Sequence, residues 1–166
     1  LANVDAVLSQ TGKEYRLKEA LADLGSFDFV VMDTPPSLNI ITINALTASD
    51  YAVIPAQADI FSLQGITQLG QTIDAVKRYT NKNLKVLGIV LTKHNTRSIL
   101  SRDLQQVITD TAMQLHTKVY TQHIREAVAV REAQAMKQDV FSYDPKSNAT
   151  QDYDALMNEI WKDINQ

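Results

Sequence analysis

A chain of 166 residues, 45% hydrophobic and 21% charged, has enough apolar content for one globular domain with a buried core, which excludes intrinsic disorder. A formal charge of −3 argues against coating nucleic acid by bulk charge and leaves room for a local basic face. Cysteine is absent, which excludes disulfides and thiolate metal sites and makes the cytoplasm the default compartment. No apolar run approaches the roughly 20 residues of a membrane span, and the first residues lack the basic start and apolar core of a signal peptide. The chain opens on Leu1 and its first methionine is Met32, inside an apolar run, so we expect a piece of a longer protein.

In chain order, KEYRLKEALADLG places Leu17, Ala20, Leu21 and Leu24 on one helical face and stops at Gly25. FDFVVMDTPPS follows: Phe29 to Met32 read as a buried parallel strand that delivers Asp33 to the carboxyl edge of a sheet, where α/β proteins bind ligands. A short helix is expected from Ile40 to Ala48, and a strand at YAVIPA ended by Pro55. Leu63, Ile66, Leu69, Ile73 and Val76 recur at three and four, a long helix; LKVLGIVLT is the most apolar strand. The next helical period runs through Leu100, Leu104, Val107, Ile108 and Leu115. KVYTQHI reads as a fourth strand, REAVAVREAQAMK as a short helix, and ATQDYDALMNEIWKDI as a helix with Tyr153, Leu156, Met157, Ile160 and Ile164 on its inner face. Strands separated by helices imply crossover connections, hence an α/β fold with a mainly parallel sheet and helices on both faces, in one domain spanning 1–166.

An acid at a strand end serves magnesium and phosphates best when a glycine-rich loop cradles the phosphates. Among five glycines, Gly65 to Thr72 (GITQLGQT) has the glycine spacing of a P-loop, but Gln71 stands where the lysine belongs. A P-loop directly follows its strand, and here Ile66, Leu69 and Ile73 belong to one helix face. We read the stretch as helix and expect no phosphate cradle in this chain.

FDFVVMDTPPSLNIITINALTASDYAVIPAQADIFSLQGITQL resembles the central segment of ParA/Soj-type partition ATPases, deviant Walker A members of the P-loop enzymes that also include MinD-type cell-division proteins. The likeness rests on Asp33-Thr34-Pro35-Pro36 after an apolar strand, Asn44-Ala45-Leu46, Asp50 before YAVIPAQ, and Leu63-Gln64-Gly65. GIVLTKHNTRS, VREAQ and YDPKSNATQDYDALMNEI extend it over nearly the whole chain. The resemblance implies a P-loop NTPase-like fold incomplete at its amino end, roughly the carboxyl-terminal two-thirds of a ParA-like ATPase domain. The lysine-bearing loop would lie upstream.

On that resemblance Asp33 is the Walker B acid, accepting a hydrogen bond from a magnesium-bound water, and Thr34 and Pro35 open the segment that senses the γ-phosphate. Thr92 and Lys93 end a strand beside the adenine, and Ile124-Arg125 stands where the family often has Ile-Pro. ATP and Mg2+ are the implied cofactors of the longer protein, with neither expected to bind this piece tightly, so the piece itself is expected to be inactive. Implied partners are a second copy in a homodimer, a ParB-like adaptor and non-specific DNA, with no membrane, in the bacterial cytoplasm and at the nucleoid. From Lys93 to Lys146 eight basic residues face six acids, and of these Arg125, Arg131 and Lys146 lie in segments that resemble those carrying DNA-binding basics.

His94, His116 and His123 are scattered in sequence and read as surface or satisfied histidines. A phosphoryl-accepting receiver domain would also set an aspartate and a lysine after parallel strands, but it needs an acidic pair after an earlier strand and a proline after the lysine. Neither is present. A stand-alone dimerisation or DNA-binding module, and a MinD-like cell-division fragment, stay open as alternatives.

Overall fold

The computed structural model describes residues 12–25, 27–94 and 99–165. A 3-10 turn at Lys13–Tyr15 leads into α1 (Arg16–Ala22), followed by α2 (Ile40–Ala48), β1 (Tyr51–Ala56), α3 (Ile60–Tyr79), β2 (Lys85–His94), α4 (Ile99–Gln114), β3 (Ile124–Arg125), α5 (Val128–Ala135), α6 (Val140–Tyr143) and α7 (Asn148–Ile164). The sheet order is β1-β2-β3, and β3 runs parallel to β2 with Thr92 opposite Ile124 and His94 opposite Arg125. Pro55 sits in β1, at the edge of this order, where strand prolines are tolerated. The helix expected over Gly65 to Thr72 is continuous within α3, and the hydroxyls of Thr67 and Thr72 donate to the carbonyls of Leu63 and Gln68 one turn back. No helix among the described residues is long and apolar enough to cross a membrane.

The chain forms two compact units: the part up to Ala52 together with Gln68–Lys85, and Val53–Thr67 together with the part from Val86 onward. The first unit is organised by two asparagines, one of them buried. Asn44, 4% exposed on α2, donates through Nδ2 to the carbonyls of Lys13 (2.8 Å) and Ile40 (2.9 Å), and its Oδ1 accepts from Leu17 N (3.1 Å). Asn81 donates to the carbonyls of Leu46 (3.0 Å) and Ser49 (2.7 Å), which α2 leaves without helical partners at its carboxyl end. Ala45, Leu46, Ile73, Val76 and Leu84 are the buried apolar residues of this unit.

The second unit buries Ile89, Val90 and Leu91 of β2 with Ile108 and Ala112 of α4. Val90, Tyr120, Ile124 and Leu156 form one cluster, against which Leu87, Tyr153 and Ile160 pack. Tyr120 lies across Gly88: a Cβ on that glycine would stand 2.5 Å from Tyr120 Cε2 and 2.8 Å from Cδ2. The strand therefore needs a residue without a side chain there.

Three expectations are corrected. Residues 29–35 form no strand; Phe27, Phe29, Val30 and Val31 are 67, 55, 50 and 93% exposed, and Asp33 is exposed with them. A strand of this kind is buried on both faces by neighbours at its edges and helices above and below. Apolarity demands such partners without supplying them, and no described strand runs alongside. The fourth strand shrinks to Ile124–Arg125 plus a parallel bridge from Val119 to Ile89. The reason is that α7 takes the intervening amide N–H groups. Leu24, Val107 and Met157 are exposed rather than inward, because the inner stripes are narrower than the apolar pattern suggests; on α7 the inner face holds Asp152, Tyr153 and Leu156.

Two outcomes follow from these contacts. Gly88→Ala is expected to destabilise the fold by about 1–3 kcal/mol in chemical denaturation, because the methyl group must displace a fully buried ring. The exposed 27–31 run is expected to drive self-association, reduced in light scattering by Val31→Lys with stability changed by no more than about 0.5 kcal/mol. Unchanged scattering would place the contact elsewhere.

Candidate functional site

Asp33, Thr34 and Pro35 belong to the first unit and lie in exposed, irregular chain. Beyond them the backbone is tied down: Asn39 caps α2, its Oδ1 accepting from Ile41 N (3.0 Å) and Thr42 N (3.4 Å), and Thr42 Oγ1 donates to Ser37 O (2.7 Å). The Asp33 carboxylate makes no hydrogen bond or ion pair among the described residues. Three metal-ligating side chains do not gather anywhere among the described residues. One open carboxylate suits a hydrogen bond to a metal-bound water and does not suit direct chelation, so the donor set fits magnesium in the outer-sphere manner alone.

In the second unit Thr92 and Lys93 stand at the carboxyl end of β2. Thr92 Oγ1 donates to Ala56 O (3.2 Å), tying β2 to the end of β1. Between Thr92 and His94 the register with β3 slips, and Lys93 takes the left-handed conformation at φ 49°. A lysine with positive φ at a bulge is a strained position, of a kind frequent beside binding sites. Lys93 is exposed.

The neighbouring strand end is held by α7. Asp152, 4% exposed, accepts four hydrogen bonds: from Gln122 Nε2 (3.1 Å), Arg125 N (3.0 Å), Arg125 Nε (2.9 Å) and Arg125 Nη2 (2.7 Å). Two turns on, Glu159 accepts from Thr121 N (3.1 Å) and Gln122 N (3.0 Å). One further turn brings Asp163 to Lys118 Nζ (2.7 Å) and Tyr120 Oη (2.9 Å). Three carboxylates on one helix face thus replace a sheet neighbour along 118–125. Burial by itself would raise the Asp152 pKa, but the Arg125 guanidinium and amide and the Gln122 amide bring it below its ordinary value of 3.8. Lys118 and Tyr120 likewise lower Asp163 against the opposing effect of burial. Burial, with the Asp163 hydrogen bond and the Asp163 and Glu159 charges, raises Tyr120 far above its usual range, so it stays a neutral donor.

The histidines are not all apart in space. His94, 6% exposed, and His123 meet edge to face with ring centroids 4.5 Å apart and planes at 71°. Burial lowers the pKa of each; for His123 the His94 ring lowers it further, while Glu159 and Asp152 oppose. Sequence reasoning missed this pair because the two residues are joined only through the parallel register of β2 with the β3 end. The basic candidates differ in their surroundings. Arg125 is paired with Asp152 and also donates to Asn148 O (3.3 Å); Arg131 lies 3.6 Å from Glu126 with both side chains exposed; Lys146 is exposed. Arg97 lies outside the described residues, as do the other positions of 95–98 in the GIVLTKHNTRS segment.

An AAA domain family model matches residues 1–86. The chromosome partitioning protein ParA of Caulobacter vibrioides is 38% identical over 164 residues, covering 96% of this chain and 60% of that protein. The sporulation initiation inhibitor protein Soj of Bacillus subtilis is 37% identical over 162 residues, covering 96% and 63%. Cobyrinic acid a,c-diamide synthase from Mycobacterium smegmatis matches with a TM-score of 0.75 at 33% identity over 97% of this chain and 60% of its own; its structure with bound ADP and magnesium matches with a TM-score of 0.61 at 40% identity over 66% and 45%. The chain spans about three-fifths of the length of the curated relatives it matches. A parallel sheet with helices, with Thr92 and Lys93 at the end of β2, is the architecture of P-loop NTPases. The chain belongs to the AAA domain family, and its likeness to the ParA and Soj proteins runs over nearly its whole length.

The lowered Asp152 pKa sets an acid limit. The unfolded chain takes up that proton near 3.8 and the folded chain at a lower pH, so the stabilisation is complete above 3.8 and is lost as pH falls through the folded value. Asp152→Asn is expected to flatten the acid limb of urea midpoint against pH in that window, and to lower the midpoint at neutral pH. An unaltered limb would assign the acid sensitivity to other carboxylates.

Proposed function

We propose that this chain is the carboxyl-terminal part of a ParA/Soj-like ATPase that partitions a plasmid or chromosome. The observation that carries the reading is 38% identity to a chromosome partitioning ParA across 96% of the chain. In a protein of the relatives' length, Asp33 accepts a hydrogen bond from a magnesium-bound water, while Thr34 and Pro35 set the backbone beside the γ-phosphate. Thr92 and Lys93 flank the adenine at the end of β2. Magnesium, when bound, supplies charge neutralisation at the β- and γ-phosphates. ATP binding is bistability made chemical: it favours a homodimer, and the dimer holds DNA without sequence preference.

The DNA contact in this reading uses Arg131 and Lys146, both exposed, together with Arg125. Arg125 enters the Asp152 pair through Nε and Nη2, which leaves Nη1 for a phosphate oxygen. A ParB-like adaptor stimulates hydrolysis and release, in the bacterial cytoplasm at the nucleoid. In this reading the chain by itself does not hydrolyse ATP, because positioning and charge neutralisation at the phosphates come from a lysine-bearing loop that its sequence lacks.

Calorimetry with ATP and magnesium tests this on the chain and on a protein extended upstream to the relatives' length. The extended form is expected to bind and the present chain not to; Asp33→Ala in the extended form is expected to weaken the magnesium dependence. Magnesium-dependent turnover by the chain alone, abolished by Asp33→Ala, would overturn the reading. Binding by neither would favour a stand-alone dimerisation or DNA-binding module.

A further inference from the structure

The segment 118–125 is held from one side by the sheet and from the other by α7. Ile89 N donates to Lys118 O (2.8 Å) and Tyr120 N to Ile89 O (2.9 Å) on the sheet side. On the other side both oxygens of Asp152 and both oxygens of Glu159 already accept hydrogen bonds from Thr121, Gln122 and Arg125. His123 lies in the middle of this segment and half-buried, its ring against the buried ring of His94. The nucleotide and DNA readings use neither histidine.

Among the described residues, the charged groups around the pair are these. Asp152 and Glu159 face it from α7, Arg125 of β3 is bonded to Asp152, and β2 contributes His94 itself with exposed Lys93 beside it. A neutral His123 next to carboxylates that already accept from the loop amides makes no demand on them. An imidazolium is different: it carries two N–H donors and a positive charge, and it competes for oxygens that the loop amides occupy.

We propose that the His94–His123 pair is a proton-operated latch on the 118–125 segment: with both rings neutral the loop stays clamped to α7, and a proton taken from solvent by His123 draws Glu159 or Asp152 off the amides of Thr121, Gln122 and Arg125. Release at that point frees the strand end that carries Arg125, next to Lys93 at the carboxyl edge. The direction of the titration agrees. Burial holds both rings below the ordinary 6.5, so the clamped form binds fewer protons than the open form, is fully favoured above 6.5 and is lost as pH falls below it. The inference is independent of the nucleotide reading, since the chain alone contains every group involved.

The experiment is histidine proton NMR on the whole chain across a pH series, combined with amide hydrogen exchange corrected for intrinsic rates. His123 is expected to titrate below the ordinary 6.5, and the amides of Thr121, Gln122 and Arg125 to lose protection below 6.5, about tenfold for each pH unit by which the His123 pKa differs between clamped and open forms. Amides within α3 are expected to stay protected over that range. In His123→Gln the three loop amides are expected to keep pH-independent protection. Wild-type loop amides that hold their protection as His123 titrates would overturn the latch, and so would the same loss of protection in His123→Gln.

Discussion

The carboxyl edge of the sheet depends on Asp152. Burying a carboxylate costs several kcal/mol unless hydrogen bonds replace its water, and here four donors do so. A buried ion pair is weak evidence for stability, since apolar packing of the same volume often serves as well. What this pair supplies is position. It fixes the backbone of Arg125 through its N–H and the side chain through its guanidinium, so the end of β3 is set by a helix near the carboxyl terminus of the chain. A proline after Ile124 could not donate that N–H. The turn in this chain is held by a hydrogen bond where ring stiffness would serve elsewhere.

Glu159 and Asp163 extend the same device along α7. Because Thr121 and Gln122 give their amides to Glu159, those residues cannot also complete a ladder with β2, and the strand is interrupted between Val119 and Ile124. Within the interruption His123 lies against His94. In the first unit polar side chains play a comparable part: Asn81 satisfies carbonyls at the carboxyl end of α2, and Asn44 ties α2 to the 3-10 turn and to α1. Among the described residues no buried side-chain nitrogen or oxygen lacks a partner.

Much of the architecture was legible in the residues. The Ile40–Ala48 helix and the Tyr51–Ala56 strand form with the bounds that local pattern indicates, and the helix through Gly65 to Thr72 is continuous because its apolar spacing outweighs a glycine pair without a lysine. The candidate site was less legible. Asp33 could be singled out by the motif around it, yet its strand is absent from the structure because burial on two faces needs partners that local sequence does not provide. Arg125 was singled out as a cation, whereas its partner Asp152 lies 27 positions away. No local pattern joins them.

By itself the sequence determined the period of each helix, the α/β class and the likeness to ParA/Soj-type proteins, since these rest on short-range spacing and on residue identity in order. Tertiary structure alone decided where β3 ends, which carboxylates of α7 face inward, that Gly88 must lack a side chain and that two distant histidines touch. These depend on contacts between segments far apart in the chain, where the geometry of packing, and not the pattern of any one stretch, selects the partner.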